Sequence, residues 1–340
     1  MKYLLSSLLL IIVISFTKAS TYQSQIGTHL IIGINHYPIQ DAWIKFINKN
    51  KISGIIFLSK SYQDGINVKK TIHKIKENIH HKMFFCIDQE GGNVSRIKKN
   101  IIQIPAAKVI AESYTEKEAF ELYRKQAKDL AELGINVNFS PVLDILYNKA
   151  NTVIGNRSFG NNPQTVHKYA KEVINASLIE NIMPVIKHFP GHGYTNQDSH
   201  KEMPVHNNIE RLIKTDLIPF KKSIQFGAPA IMIAHILYPK LDKQYPASLS
   251  NKIITNYLKN DLSFSGIIFS DDINMGAIKK HYNLDTAIIK SIEAGVHQTI
   301  IIAPLERLKT TIKSINIKLK NEPQITKIIK KNQSIIASFK

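Results

Sequence analysis

Between Lys187 and His200 the chain places three histidines, a lysine and an aspartate within fourteen residues, Lys187-His188-Phe189-Pro190-Gly191-His192-Gly193-Tyr194-Thr195-Asn196-Gln197-Asp198-Ser199-His200. Imidazoles move protons near neutral pH, and a neighbouring carboxylate steers them. Two histidines four residues apart, His188 and His192, would also suit a metal on a helix. Pro190 lies between them, and with Gly191 and Gly193 it breaks any helix there. The stretch therefore reads as a mobile loop released by the apolar run 182–186, and loops on a rigid scaffold are where catalytic groups collect. Other chemically competent residues also follow short apolar runs: Asp88 after 83–87, His235 after 230–234, Asp271 and Asp272 after 266–270.

These runs are the elements that must position the chemistry. Eight short Ile- and Val-rich segments, at 28–34, 54–58, 83–87, 137–140, 182–186, 230–234, 266–270 and 299–303, alternate with stretches of helical spacing. Continuous apolar runs suit strands buried on both faces, as in a parallel sheet. The main predicted helices are 41–50, 65–78, 115–133, 163–180, 209–226, 250–258, 284–294, 305–317 and 324–339. Thr115 and Glu118 have capping-box spacing, and Gly134 and Gly295 sit where helices stop. Eight such units in one chain predict an α/β fold, a single-domain (β/α)8 TIM barrel, whose active face lies at the C-terminal ends of the strands. The open doubly wound alternative lacks a GxGxxG after its first strand.

The chain has 340 residues, a formal charge of +19 and one cysteine, Cys86, so no intramolecular disulfide forms. Cys86 sits in an apolar run and reads as a buried thiol. The lysines are scattered and not interleaved with exposed aromatics, which argues against nucleic-acid binding; a diffuse positive surface suits loose association with anionic cell wall. At the N-terminus Lys2, the apolar run 4–16 and Thr17-Lys18-Ala19 have the form of a signal peptide over residues 1–19. The mature chain, 20–340, is expected outside the cytoplasm, periplasmic or secreted.

The chain resembles family 3 glycoside hydrolases, in particular the single-barrel β-N-acetylhexosaminidase branch, over about residues 25–310. The carriers are Asp88-Gln89-Glu90-Gly91-Gly92, Phe139-Ser140-Pro141-Val142-Leu143-Asp144, Ile154-Gly155-Asn156-Arg157-Ser158-Phe159-Gly160, the Lys187–Gly193 run, Asp198-Ser199-His200 and Phe269-Ser270-Asp271-Asp272. The resemblance implies a retaining enzyme with Asp271 as nucleophile. It implies a His200–Asp198 acid/base pair in place of the usual second carboxylic acid. It makes Asp88, Arg96, Arg157, Lys187 and His188 the sugar-binding residues. Two residues apart, Asp198 and His200 can meet in a turn but not on a helix.

The implied substrates are GlcNAc-containing muropeptides or chitooligosaccharides, with neither cofactor nor metal, in a monomer. Asn93 stands where the family usually has arginine, and His297-Gln298 replaces an expected acidic residue. Competing readings are phosphorolysis or a different sugar on the same scaffold, a metal hydrolase using His188, His192, Asp198 and His200, and a non-catalytic cell-wall binding barrel.

Overall fold

The computed structural model describes residues 26–58, 60–147, 151–195 and 197–339; the expected signal peptide lies outside them. Ten strands occur among the described residues: β1 (Leu30–Ile34), β2 (Gly54–Phe57), β3 (Phe84–Ile87), β4 (Gln89–Gly91), β5 (Val94–Ser95), β6 (Val137–Asn138), β7 (Met183–Phe189), β8 (Ala230–Ile233), β9 (Ile267–Asp272) and β10 (Gln298–Ile301). β4 and β5 form an antiparallel hairpin, and the other eight close a parallel barrel. Closure runs through Leu30 opposite Thr299 and Ile31 opposite Ile300. The expected TIM barrel is what the chain forms.

Strand side chains alternate between two apolar cores. One set, including Ile31, Ile56, Phe84, Val137, Val185, Met232 and Phe269, fills the barrel interior. The rings of Phe84 and Phe139 meet Phe269 edge-on at 6.0 and 5.4 Å. The other set, such as Ile32, Ile55 and Ile268, faces the helices. Ile336, from the terminal helix Pro323–Ser338, joins the interior set. Cys86 is fully buried.

The helix Glu116–Leu133 begins in a Thr115–Glu118 capping box and ends at Gly134 in the left-handed region. The expected helix over 209–226 is instead three pieces: Ile209–Arg211, a π-helical turn Leu212–Asp216, and Ile218–Gln225. Pro219 explains the break, having no N–H to donate and a ring that crowds the carbonyl four residues back. The segment 252–261 is also π-helical, with the Ser250 hydroxyl capping Ile253 N–H at 3.2 Å.

β7 runs three residues past the apolar run 182–186, and Lys187 and His188, expected at the strand's end, belong to it. Its pairing with β8 shifts register between Ile186 and Phe189, and β9–β10 shifts between Gln298 and Ile300, opposite Asp272. Such irregularities re-aim side chains, and both lie beside the polar end of the barrel.

Candidate active site

A cavity of about 460 Å³ opens at the C-terminal ends of the strands. Its lining includes Asp88, Arg96, Arg157, Lys187, His188, Asp198, His200 and Asp271, so the eight residues to which the resemblance gives a role come together. Phe139, Met232 and Ile300 give it an apolar floor.

One wall is an ion network. The Lys187 ammonium, almost fully buried, lies 2.8 Å from Asp88 Oδ1 and 2.6 Å from Glu90 Oε1. Arg157 donates to both oxygens of Glu90 at 2.8 Å and to the Val153 carbonyl at 2.9 Å. Burial works to raise the Glu90 pKa, but Arg157 and Lys187 outweigh it and hold the carboxyl at about 2. The Asp88 carboxyl is likewise held low, burial being overcome by Lys187 and then Arg96, whose guanidinium is 3.4 Å away. Gln89 fixes the hairpin beneath: its side-chain oxygen accepts from Arg96 N–H and Ile97 N–H, and its amide donates to the Ile97 carbonyl. Glycine is required at 91, where φ is +105° and a Cβ would lie 2.5 Å from the Pro105 carbonyl oxygen.

Behind this wall Asp144 organises the base of the loop. Its Oδ2 is 2.6 Å from His188 Nδ1, and its Oδ1 accepts the His192 N–H at 2.6 Å. Burial opposes ionisation of Asp144, but His188 and His192 prevail and keep its pKa low. With Asp144 ionised, His188 Nδ1–H donates to it, and His188 Nε2 lies 3.5 Å from the Arg157 guanidinium. His192 is pinned between the Thr195 and Ser199 hydroxyls at 2.9 and 3.3 Å. Burial lowers its pKa to about 4, so it stays neutral.

Opposite, Asp271 and Asp272 end β9 and are driven apart in acidity. Burial would raise Asp271, but His235 and His188, the Asp272 N–H at 2.8 Å and Lys187 bring it below the usual carboxylate range. Asp272 is raised to about 7, by burial first and by the Asp271 charge, although Asn274 and Ile302 N–H groups bond its Oδ1. Environments that separate two carboxyls in this way assign them different duties. His235 does not line the cavity. It bridges the Ser248 hydroxyl (2.7 Å) and the Asp272 carbonyl (3.0 Å), bracing the backbone beside Asp271.

Asp198 and His200 meet as a pair in the loop. Asp198 Oδ1 accepts both the His200 N–H (2.9 Å) and its Nδ1–H (2.8 Å), leaving Nε2 for proton transfer. The imidazole is two-thirds exposed. The loop rests on β9's following turn: Gly276 N–H donates to the His200 carbonyl and Ala277 N–H to that of Ser199. Asn151 bonds the His192 and Thr195 carbonyls from the other side.

Sequence reasoning gave no role to Glu90, although Asp88 and Glu90 alternate along one extended segment and so share a face. Asp144 and His235 brace other groups from behind and do not line the cavity, whereas Met275 does.

Carboxylates and an imidazole converge on a polar cavity at the top of a (β/α)8 barrel, an arrangement suited to nucleophilic and acid/base chemistry. The model of the glycosyl hydrolase family 3 N-terminal domain matches residues 23–335, and the chain belongs to that family. A protein of Hydrogenovibrio crunogenus named beta-hexosaminidase is 32% identical over 257 residues, covering 74% of this chain and 71% of its own. One of Actinobacillus pleuropneumoniae serotype 5b with the same name is 32% identical over 274 residues, 78% of each chain. A family 3 β-N-acetylglucosaminidase structure from Paenibacillus sp. FPU-7 superposes with a TM-score of 0.89 at 28% identity, over 94% of this chain and 62% of that one.

Proposed function

We propose that this β-N-acetylhexosaminidase removes terminal β-linked GlcNAc from peptidoglycan-derived fragments, with retention of configuration, after export from the cytoplasm. The observation that carries the mechanism is the pairing of an ionised Asp271 with a loop-borne Asp198–His200 couple on one cavity. Asp271 attacks the anomeric carbon while His200 Nε2–H protonates the leaving oxygen. This gives the glycosyl–Asp271 ester; water then attacks the anomeric carbon, handing its proton to the now neutral His200, as the bond to Asp271 breaks and the carboxylate is released. Asp198 orients the ring and stabilises its cationic form. Asp88, Arg96, Arg157, Lys187 and His188 hold the sugar hydroxyls. Buried charged groups fixed in a network need little reorganisation when the sugar binds.

The test is an aryl β-N-acetylglucosaminide assay with mass spectrometry. Asp271→Ala is expected to lose turnover, and a 2-fluoro sugar with an activated leaving group should label wild-type Asp271. His200→Ala should slow poor leaving groups most. Wild-type rates in Asp271→Ala, or labelling elsewhere, would refute the assignment. GlcNAc-anhydro-muropeptides supplied with and without phosphate then tell hydrolysis from phosphorolysis by product mass.

A further inference from the structure

We propose that Asp216, with His206 and Arg211, positions the acid/base pair from a distance: on the reading of His200 as the proton donor, these three residues anchor the entry of the loop whose far end carries Asp198 and His200. None of the three lines the catalytic cavity.

The anchor is a buried charge cluster that follows the loop in the chain. The π-helical turn Leu212–Asp216 closes with the Leu217 N–H on the Leu212 carbonyl at 2.9 Å. Such turns hold one residue more than an α-helical turn and are frequent at functional sites. Asp216, at the end of this one, is 2% exposed. Its Oδ2 is 3.0 Å from His206 Nε2, and its Oδ1 is 3.3 Å from Arg211 Nη2. A buried ion pair gains little stability over apolar packing. What this one gains is a fixed geometry, and each of its members spends that geometry on the loop.

Asp216 meets Gly191, just past the end of β7. There φ is +142° and a Cβ would lie 2.9 Å from Asp216 Cβ, so the close approach requires glycine. His206 packs between the rings of Tyr194, on the loop, and Tyr238, with centres 4.8 and 5.4 Å away. The Tyr238 hydroxyl donates to the Gly191 carbonyl at 2.7 Å. Arg211 lies over two rings, its guanidinium carbon 3.8 Å from the centre of Tyr147 and 5.3 Å from that of Tyr194, an arrangement that attracts a cation. From Gly191 the contacts run on to the acid/base pair. His192 is the next residue, its Nε2 is 3.3 Å from Ser199 Oγ, and Ser199 stands between Asp198 and His200. A shift at Asp216 therefore reaches His200 along the loop. Asp271 is no part of that chain of contacts.

The experiment compares kcat/KM for two β-N-acetylglucosaminides, one with a 2,4-dinitrophenolate leaving group that departs without a proton and one with an alkoxide that needs it. This ratio reports the steps up to glycosylation of Asp271. Asp216→Asn and Arg211→Gln should each lose roughly ten- to a hundredfold on the alkoxide and less than about twofold on the dinitrophenolate, which also reports an intact fold. Tyr238→Phe, which removes only the hydroxyl that holds Gly191, should show the same selectivity and serves if a buried-charge variant fails to fold. In a His200→Ala background the selective loss should disappear, because the cluster acts through His200. Equal losses on both leaving groups, wild-type values on both, or a selective loss that persists without His200 would each overturn the proposal. A His200→Ala enzyme indifferent to the leaving group would bring down the acid/base reading itself, and the anchor's role with it.

Discussion

Glu90 holds two cations of the cavity wall, and its removal would leave Arg157 without its bidentate partner and Lys187 with Asp88 alone. Glu90→Gln keeps the shape but withdraws the charge from the buried Lys187 and Arg157. Breaking a buried pair of this kind costs about 3–5 kcal/mol. The variant is expected to lose that much in urea denaturation near pH 7. Its kcat/KM should fall while the 2-fluoro label still reaches Asp271. The folded Glu90 pKa is about 2 against an ordinary 4.5, so its contribution is complete above 4.5 and lost as pH falls toward 2; the variant should show a shallower acid limb.

Asp272 has the opposite sign. Its folded pKa of about 7 lies above the ordinary 3.8. The folded state therefore holds an extra proton between those values, and stability declines as pH rises through that window. Asp272→Asn, which cannot ionise, should narrow the stability difference between pH 5 and pH 8. Denaturation midpoints at the two pH values measure it, and an unchanged difference would remove the raised carboxyl from the account.

At the scale of elements, β7 and its loop divide the labour. The strand fixes Lys187 and His188 through a register shift and through Asp144, while the loop carries Asp198 and His200 over the cavity. The loop's height is set by the backbone contact with Gly276. A Cβ there would come within 2.4 Å of the His200 carbonyl oxygen and 2.6 Å of that of Lys201. Gly276→Ala must lift the loop, and a displacement near 1 Å can cost about a hundredfold in rate. The expected result is a kcat loss of that order for poor leaving groups, with Asp271 labelling preserved. A variant with wild-type kcat would show that the loop is not held at this point.

At the scale of the molecule, the barrel interior is closed from below by the terminal helix. Ile336 reaches the same cluster as Phe84, Val185 and Phe269. Ile336→Ala should therefore cost about 2–5 kcal/mol, as for any large core deletion. Calorimetry would register a lower Tm with little change in KM, because the candidate cavity lies at the opposite end. A surface-like cost of a few tenths would mean that this helix is only an appendage.

The sequence by itself determined the barrel, its strand order and the chemistry of its rim. Ile- and Val-rich runs of strand length, spaced by amphipathic segments, admit few folds, and the motif residues follow those runs directly. Asp198 and His200 were named as a couple by the family resemblance, and their two-residue spacing is compatible with a turn. Only the tertiary structure decided the rest. Glu90 and Lys187 are almost a hundred residues apart, and their pairing exists because β3 and β7 close on the same barrel. The extension of β7 to Phe189 depends on pairing with β8, which outweighs the local preference of the residues around Pro190. The division of duties between Asp271 and Asp272 is likewise invisible in two adjacent aspartates. Burial, which raises Asp272, and His235 and His188, which lower Asp271, set it, and all arrive from outside the dipeptide.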